Sequence, residues 1–128
     1  MNYYFSSKIN ASMHEARERV AKALRKEGFG ILTEIDVQGT LKKKIGADWP
    51  GYRILGACNP EFAYKALQTE PHIGTMLPCN VILRELENGE IEISAVDPLA
   101  SMQAVENPNL GAVATEVRNK LRQVIQYL

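Results

Sequence analysis

The stretch Val81-Ile82-Leu83-Arg84-Glu85-Leu86-Glu87-Asn88-Gly89-Glu90-Ile91-Glu92-Ile93-Ser94-Ala95-Val96 decides the fold class. Two apolar-rich runs flank Asn88-Gly89, and both turn residues tolerate the positive φ that a tight hairpin demands. The chain is therefore expected to reverse here into two antiparallel strands. A two-residue loop sets Leu86 against Ile91 and Arg84 against Ile93 on one face, with Glu85 meeting Glu92 on the other. In that register Val81, Leu83 and Val96 share a face with Glu85, Ser94 and Glu92, apolar at the base and wet near the tip.

Working outward, Tyr52 to Cys58 is apolar on both faces apart from Arg53, which suits a strand with neighbours on either side. Asn59-Pro60 supplies a cap and a first-turn proline for a helix carrying Phe62, Ala63, Ala66 and Leu67, and Pro71 stops it. Further upstream, Tyr3 to Ile9 alternates weakly as a strand. Ser12 and Glu15 form a capping box for a helix with the stripe Met13, Ala16, Val20, Ala21 and Leu24, closed by Gly28. Phe29, Ile31, Thr33, Ile35 and Val37 alternate as a half-buried strand. Asp36 then caps a short helix through Val37, Leu41 and Ile45, ending near Gly46.

Downstream, Asp97-Pro98 and Asn107-Pro108 repeat the cap-and-proline start. Leu110, Val113, Val117, Leu121, Val124 and Leu128 recur at threes and fours as a terminal helix. The order β-α-β-(α)-β-α-β-β-(α)-α implies an α+β two-layer sandwich. Its sheet has about five strands, mixed or antiparallel, with helices mainly on one face.

The 128 residues form a single expected domain, 1–128, with no linker to divide it. Fifteen basic residues balance fifteen acidic ones, so no global field favours nucleic acid. No window approaches the ~20 apolar residues of a membrane span. Two cysteines in a chain of this size fit a reducing, cytoplasmic setting. The Lys42-Lys43-Lys44 run reads as a solvated helix face, with an anion patch as the alternative.

Phosphate-binding glycine loops, paired-histidine metal motifs, Cys-x-x-Cys and serine elbows are all missing from the sequence. Interest falls on two Cys-Asn pairs, Cys58-Asn59 and Cys79-Asn80. Cys58 stands where a strand hands over to a helix start, and free amides there favour a thiolate, hence a nucleophile or soft-metal ligand. Against this stands the usual fate of cysteine as a small buried hydrophobe. A parallel crossover between the two cysteines separates them by about 20 Å at ~3.3 Å per residue. An antiparallel return through residues 71–78 puts both at one end of the sheet. The sequence leaves both topologies open. His72, in that segment, is a candidate base or ligand, with an exposed loop histidine as the plainer alternative. Glu34, Asp36, Trp49, Tyr52 and Tyr64 are possible rim residues, more simply explained by capping and packing.

Three blocks carry a family resemblance: Ile35-Asp36-Val37-Gln38 with Leu41 to Lys44, Tyr52 to Pro60, and Leu77-Pro78-Cys79-Asn80-Val81. Together they resemble the bacterial and archaeal domain of unknown function 302 family over nearly the whole chain. Gly39 stands where the family leads one to expect alanine, and Trp49-Pro50-Gly51 replaces a phenylalanine-led loop. The resemblance implies a stand-alone α+β domain and a homodimer. It brings no established activity, cofactor or catalytic residue to carry over.

The first functional expectation is a homodimeric binding module holding a small molecule or soft metal ion near Cys58, Asn59, Cys79, Asn80 and His72. Cys58 and Cys79 are the metal-ligand candidates within it. A structural or interaction protein without chemistry comes second. A thiol enzyme or redox protein comes third, with Cys58 as nucleophile, Cys79 as resolving thiol and His72 as base.

Overall fold

In the computed structural model, which describes residues 2–128, strand β1 (Tyr4–Ile9) leads into helix α1 (Met13–Lys26). Strand β2 (Gly30–Asp36) then leads into helix α2 (Val37–Ile45). Strand β3 (Tyr52–Cys58) hands over to helix α3 (Pro60–Thr69) and a 3-10 segment (Pro71–Met76). Strands β4 (Cys79–Glu85) and β5 (Ile91–Val96) form the hairpin, followed by the one-turn helix α4 (Pro98–Ser101) and the long helix α5 (Leu110–Gln126).

The caps act largely as their side chains dictate. Ser12 Oγ accepts from the Glu15 amide at 3.1 Å, Asp36 from Gly39 at 3.0 Å and Asp97 from Leu99 at 3.0 Å. The Ser12 box is incomplete, because the Glu15 carboxylate takes the Ser12 hydroxyl at 3.2 Å instead of its backbone N–H. Gly28, at φ +82°, closes α1, with the Phe29 amide reaching back to the Leu24 carbonyl at 2.9 Å. Asn107 does not cap α5. Its side chain ties the Thr69 carbonyl at 3.0 Å, and the helix opens three residues later at Leu110.

The sheet has the order β1-β5-β4-β3-β2, and every pairing is antiparallel. Leu55, Val81, Leu83, Ile91, Ile93 and Ala95 form its buried face. Ala16, Val20 and Leu24 of α1 and Val117, Leu121 and Val124 of α5 pack over it. The stripes of α1 and α5 read from the sequence largely bury, whereas in α3 only Ala66 is buried and Leu67 stays 42% exposed. Helix α2 differs: its Val37, Leu41 and Ile45 repeat makes a helix, yet Ile45 stays 73% exposed and no α2 residue is buried.

The hairpin register corrects the expected one. Glu87, Asn88 and Gly89 bridge the strands as a three-residue loop. The Leu86 amide donates to the Glu90 carbonyl at 2.8 Å, and the Gly89 amide to the Leu86 carbonyl at 2.9 Å. Only Gly89 adopts positive φ, +88°. The loop thus avoids the left-handed conformation at Asn88 that a two-residue turn requires. Glu85 therefore faces Ile91, Arg84 faces Glu92 and Leu83 faces Ile93. A slip of one residue exchanges the faces of a strand. In the observed register Val81, Leu83, Ile91, Ile93 and Ala95 all point under the helices, whereas the two-residue register divides them.

The opposite face carries Ile35, Ile54, Ile82, Ser94 and Ser6 in one row across the strands, and Tyr52, Arg84, Glu92 and Lys8 in the next. Ser6 and Ser94 join hydroxyl to hydroxyl at 3.0 Å, and Arg84 Nε donates to Glu92 at 2.6 Å.

Candidate functional site

The antiparallel β3–β4 pairing decides where the two cysteines lie. Cys79 sits opposite Ala57, one residue from Cys58. Strand spacing then puts the two cysteine Cα atoms about 6 Å apart. The parallel-crossover alternative is excluded. Both thiols are free, Cys58 partly exposed and Cys79 buried.

Beside them lies a cavity of about 320 Å³, between one end of the sheet and helices α3, α4 and α5. Ala57, Cys58 and Cys79 form its sheet wall, Phe62, Ala63 and Ala66 its α3 wall, and Leu110, Val113 and Ala114 its α5 wall. Pro98 and Met102 contribute from the α4 side. Leu32 and Leu67, 67% and 42% exposed, lie at the rim. Apart from the thiols, Asn59 is the one polar side chain in this lining among the described residues.

Asn59 is already engaged at both ends of its amide. Oδ1 accepts from the Phe62 N–H at 3.5 Å, and Nδ2 donates to the Glu27 carbonyl at 3.3 Å. The α3 start is thus capped by Asn59, and Ala63 donates to the Asn59 carbonyl at 2.9 Å. Burial pushes the Cys79 thiol up to about 11, and the neighbouring Cys58 charge adds to the rise. Cys79 is therefore a protonated, apolar wall group at neutral pH.

The candidate residues divide. Cys58, Asn59 and Cys79 line the cavity. Asn80 follows Cys79 on the strand, so it points to the opposite face of the sheet. There it lines a second depression, of about 520 Å³, with Tyr3, Tyr4 and Tyr52. His72, on the 3-10 segment, is 93% exposed and lies 3.7 Å from the Glu70 carboxylate, outside the cavity lining. Neither residue is in the cavity lining: strand alternation turns Asn80 away from Cys79, and His72 sits on the exposed 3-10 segment.

The other rim candidates have structural uses or stand apart. Glu34 holds Arg17 and Arg53 at 3.0 Å each, and Asp36 caps α2. Trp49 and Tyr64 are exposed away from the cavity lining. Lys42 pairs with Asp48 at 2.9 Å on an open surface. Among the described residues no group of three or more His, Cys, Asp and Glu side chains could hold a metal ion. Two thiols alone fall short of the usual four-ligand soft-metal set.

The α4 and α5 contributions were not foreseen. Val113 and Leu110 read as ordinary core positions, and only the run of small residues Ala63, Ala66 and Ala114 hints at space left unfilled.

Fold and site together define a small α+β domain with an apolar cavity and two thiols at one end of an antiparallel sheet. The chain belongs to the family described as domain of unknown function DUF302, whose family model matches residues 5–128. It is similar to an uncharacterized conserved DUF302 protein from Bacillus stearothermophilus, known from a crystal structure. The TM-score is 0.92 at 26% identity, covering 99% of this chain and 98% of that one. No curated protein matches the sequence. Among the described residues no helix is long and apolar enough to cross a membrane.

Proposed function

We propose that the protein is a small-molecule binding module whose site is the cavity bounded by Cys58, Asn59 and Cys79, and that it works as a homodimer. The cavity itself carries the first part: about 320 Å³ of apolar-lined space is within the range of natural ligand pockets and far above the voids of a packed core. The sole polar side chain is occupied and the metal-ligand set is incomplete, which favours a molecule over a soft metal ion. Two free thiols fit a reducing, cytoplasmic setting. A disulfide-exchange role is less well supported, because a thiol at about 11 is a poor partner in exchange at neutral pH. Calorimetric titration with 1-octanol is the test. Wild type is expected to bind, and Ala63→Phe, which places a ring in the cavity from a partly exposed helix position, to bind at least ~10-fold more weakly with an unchanged far-UV spectrum. Equal heats from both proteins, or none from wild type, would overturn the cavity as the site.

The dimer rests on the open sheet face. The monomer exposes 7663 Å². Area scaling gives about 6,800 Å² for a compact monomer of this mass, so the folded chain exposes more surface than its size requires. Ile35, Ile54 and Ile82 run across that face as an apolar centre, with Lys8, Arg84 and Glu92 beside them as a polar border. A second copy packed face to face covers such a surface. Light scattering should give twice the chain mass for wild type and the chain mass for Ile82→Glu. A monomeric wild type at high micromolar concentration would rule the dimer out.

A further inference from the structure

Resting on the cavity as the binding site, we infer that its ligand is an uncharged, apolar molecule of about a dozen non-hydrogen atoms, with at most one weakly polar group. The size follows from comparison with an apolar cavity of ~150 Å³ that accepts benzene, since the cavity here, about 320 Å³, is roughly twice as large. The chemistry follows from what the walls can offer. No Lys, Arg, His, Asp or Glu is among the lining residues; Lys65 and Lys120 lie against the Phe62 ring, 5.4 and 5.9 Å from its centroid, without joining that lining. Asn59 Oδ1 is held by the Phe62 amide and Asn59 Nδ2 by the Glu27 carbonyl, so an incoming polar group displaces a bond that caps α3. The strand amides beside Cys79 belong to the β3–β4 ladder.

What remains is soft and weakly polar: the two cysteines and Phe62. Thiols donate feebly and make favourable contacts with aromatic and aliphatic carbon. A charged group taken in among these walls loses its water and gains no charged partner from the lining side chains. A single hydroxyl or carbonyl at the rim, beside exposed Leu32 and Leu67, keeps its water. Hydrocarbons, medium-chain alcohols and small aromatics therefore fit, whereas nucleotides, sugar phosphates and carboxylates do not.

The test compares ligands of one length and different charge: 1-octanol, octanamide, octanoate and octylamine, titrated by calorimetry at pH 7 into wild type. Octanol and octanamide are expected to bind within ~10-fold of each other, and octanoate and octylamine at least ~100-fold more weakly. A second readout uses Cys58, the partly exposed thiol in the cavity wall, whose alkylation by a neutral maleimide should slow when octanol is bound. If octanoate binds as well as octanol, the uncharged class is wrong while the cavity stands as a site. The α5 start, where Asn109 makes no side-chain cap, would then be the place to look for its partner amides. If none of the four binds and Cys58 labelling is unaffected by any, the cavity itself fails as a binding site and the ligand class fails with it.

Discussion

Replacing Gly56 with alanine is expected to lower the unfolding free energy by about 2–3 kcal/mol, a fall in Tm of roughly 10 °C for a domain this size. Gly56 lies in β3, buried, between Thr33 of β2 and Asn80 of β4. A Cβ built there meets the Pro78 ring at 2.7 Å and Thr33 Oγ1 closer still. The proline ring cannot rotate aside, and Thr33 is β-branched with few alternatives at χ1. Relief must therefore come from the backbone, at the strand end that forms the sheet wall of the cavity. The contrast is Gly30→Ala, where nothing lies within 4 Å and φ is outside the left-handed region, so stability should change by less than ~0.5 kcal/mol. Urea melts of both variants, and of Gly56→Ala combined with Thr33→Ala, decide the matter. Partial recovery in the double variant assigns part of the cost to Thr33. A Gly56→Ala protein as stable as wild type would show that this strand end yields freely.

Most of the architecture was legible because its signals are local. Ser12, Asp36, Asn59 and Asp97 each cap the helix they precede, and the apolar stripe of α1 is the stripe that buries. The hairpin was legible as a hairpin and misread in register. Asn88-Gly89 is compatible with both a two-residue and a three-residue loop, and the choice is made by burial across five positions, not by the turn. Placing Val81, Leu83, Ile91, Ile93 and Ala95 beneath α1 and α5 removes far more apolar surface than splitting them between two faces. A turn-first reading gives the local signal more weight than the burial that overrides it.

The candidate site was half legible for a related reason. That Cys58 and Asn59 stand at a strand-to-helix junction is written in Ala57-Cys58-Asn59-Pro60. Whether Cys79 returns beside Cys58 depended on eight residues with no decisive pattern, and the antiparallel outcome follows from the 3-10 segment 71–76 leading the chain back. Asn80 looked equivalent to Asn59 because both follow cysteine. One ends a strand and caps a helix; the other lies within a strand, where alternation sends it to the far face. The cavity had little sequence signature beyond the small residues Ala63, Ala66 and Ala114, because it is a space left by residues from six separate elements.

That setting makes the stability of the protein depend on alkaline pH through one sulfur. Cys79 is raised from 9.0 to about 11, by burial first and by the Cys58 charge second. In the unfolded chain the thiol loses its proton near pH 9, while in the folded protein it keeps it until about 11. Below pH 9 both states hold the proton and the contribution of Cys79 is fully present. As pH climbs from 9 to 11 the unfolded state alone gains by ionising, so stability falls by an amount on the order of 2–3 kcal/mol. The measurement is therefore a difference between two proteins that share every other titratable group. Urea melts of wild type and Cys79→Ala at pH 8 and pH 11 should show the larger alkaline loss in wild type, whatever the fixed cost of truncating the side chain. Parallel pH slopes in the two proteins would mean that water reaches the Cys79 thiolate in the folded state, and that the cavity wall is wetter than its apolar lining implies.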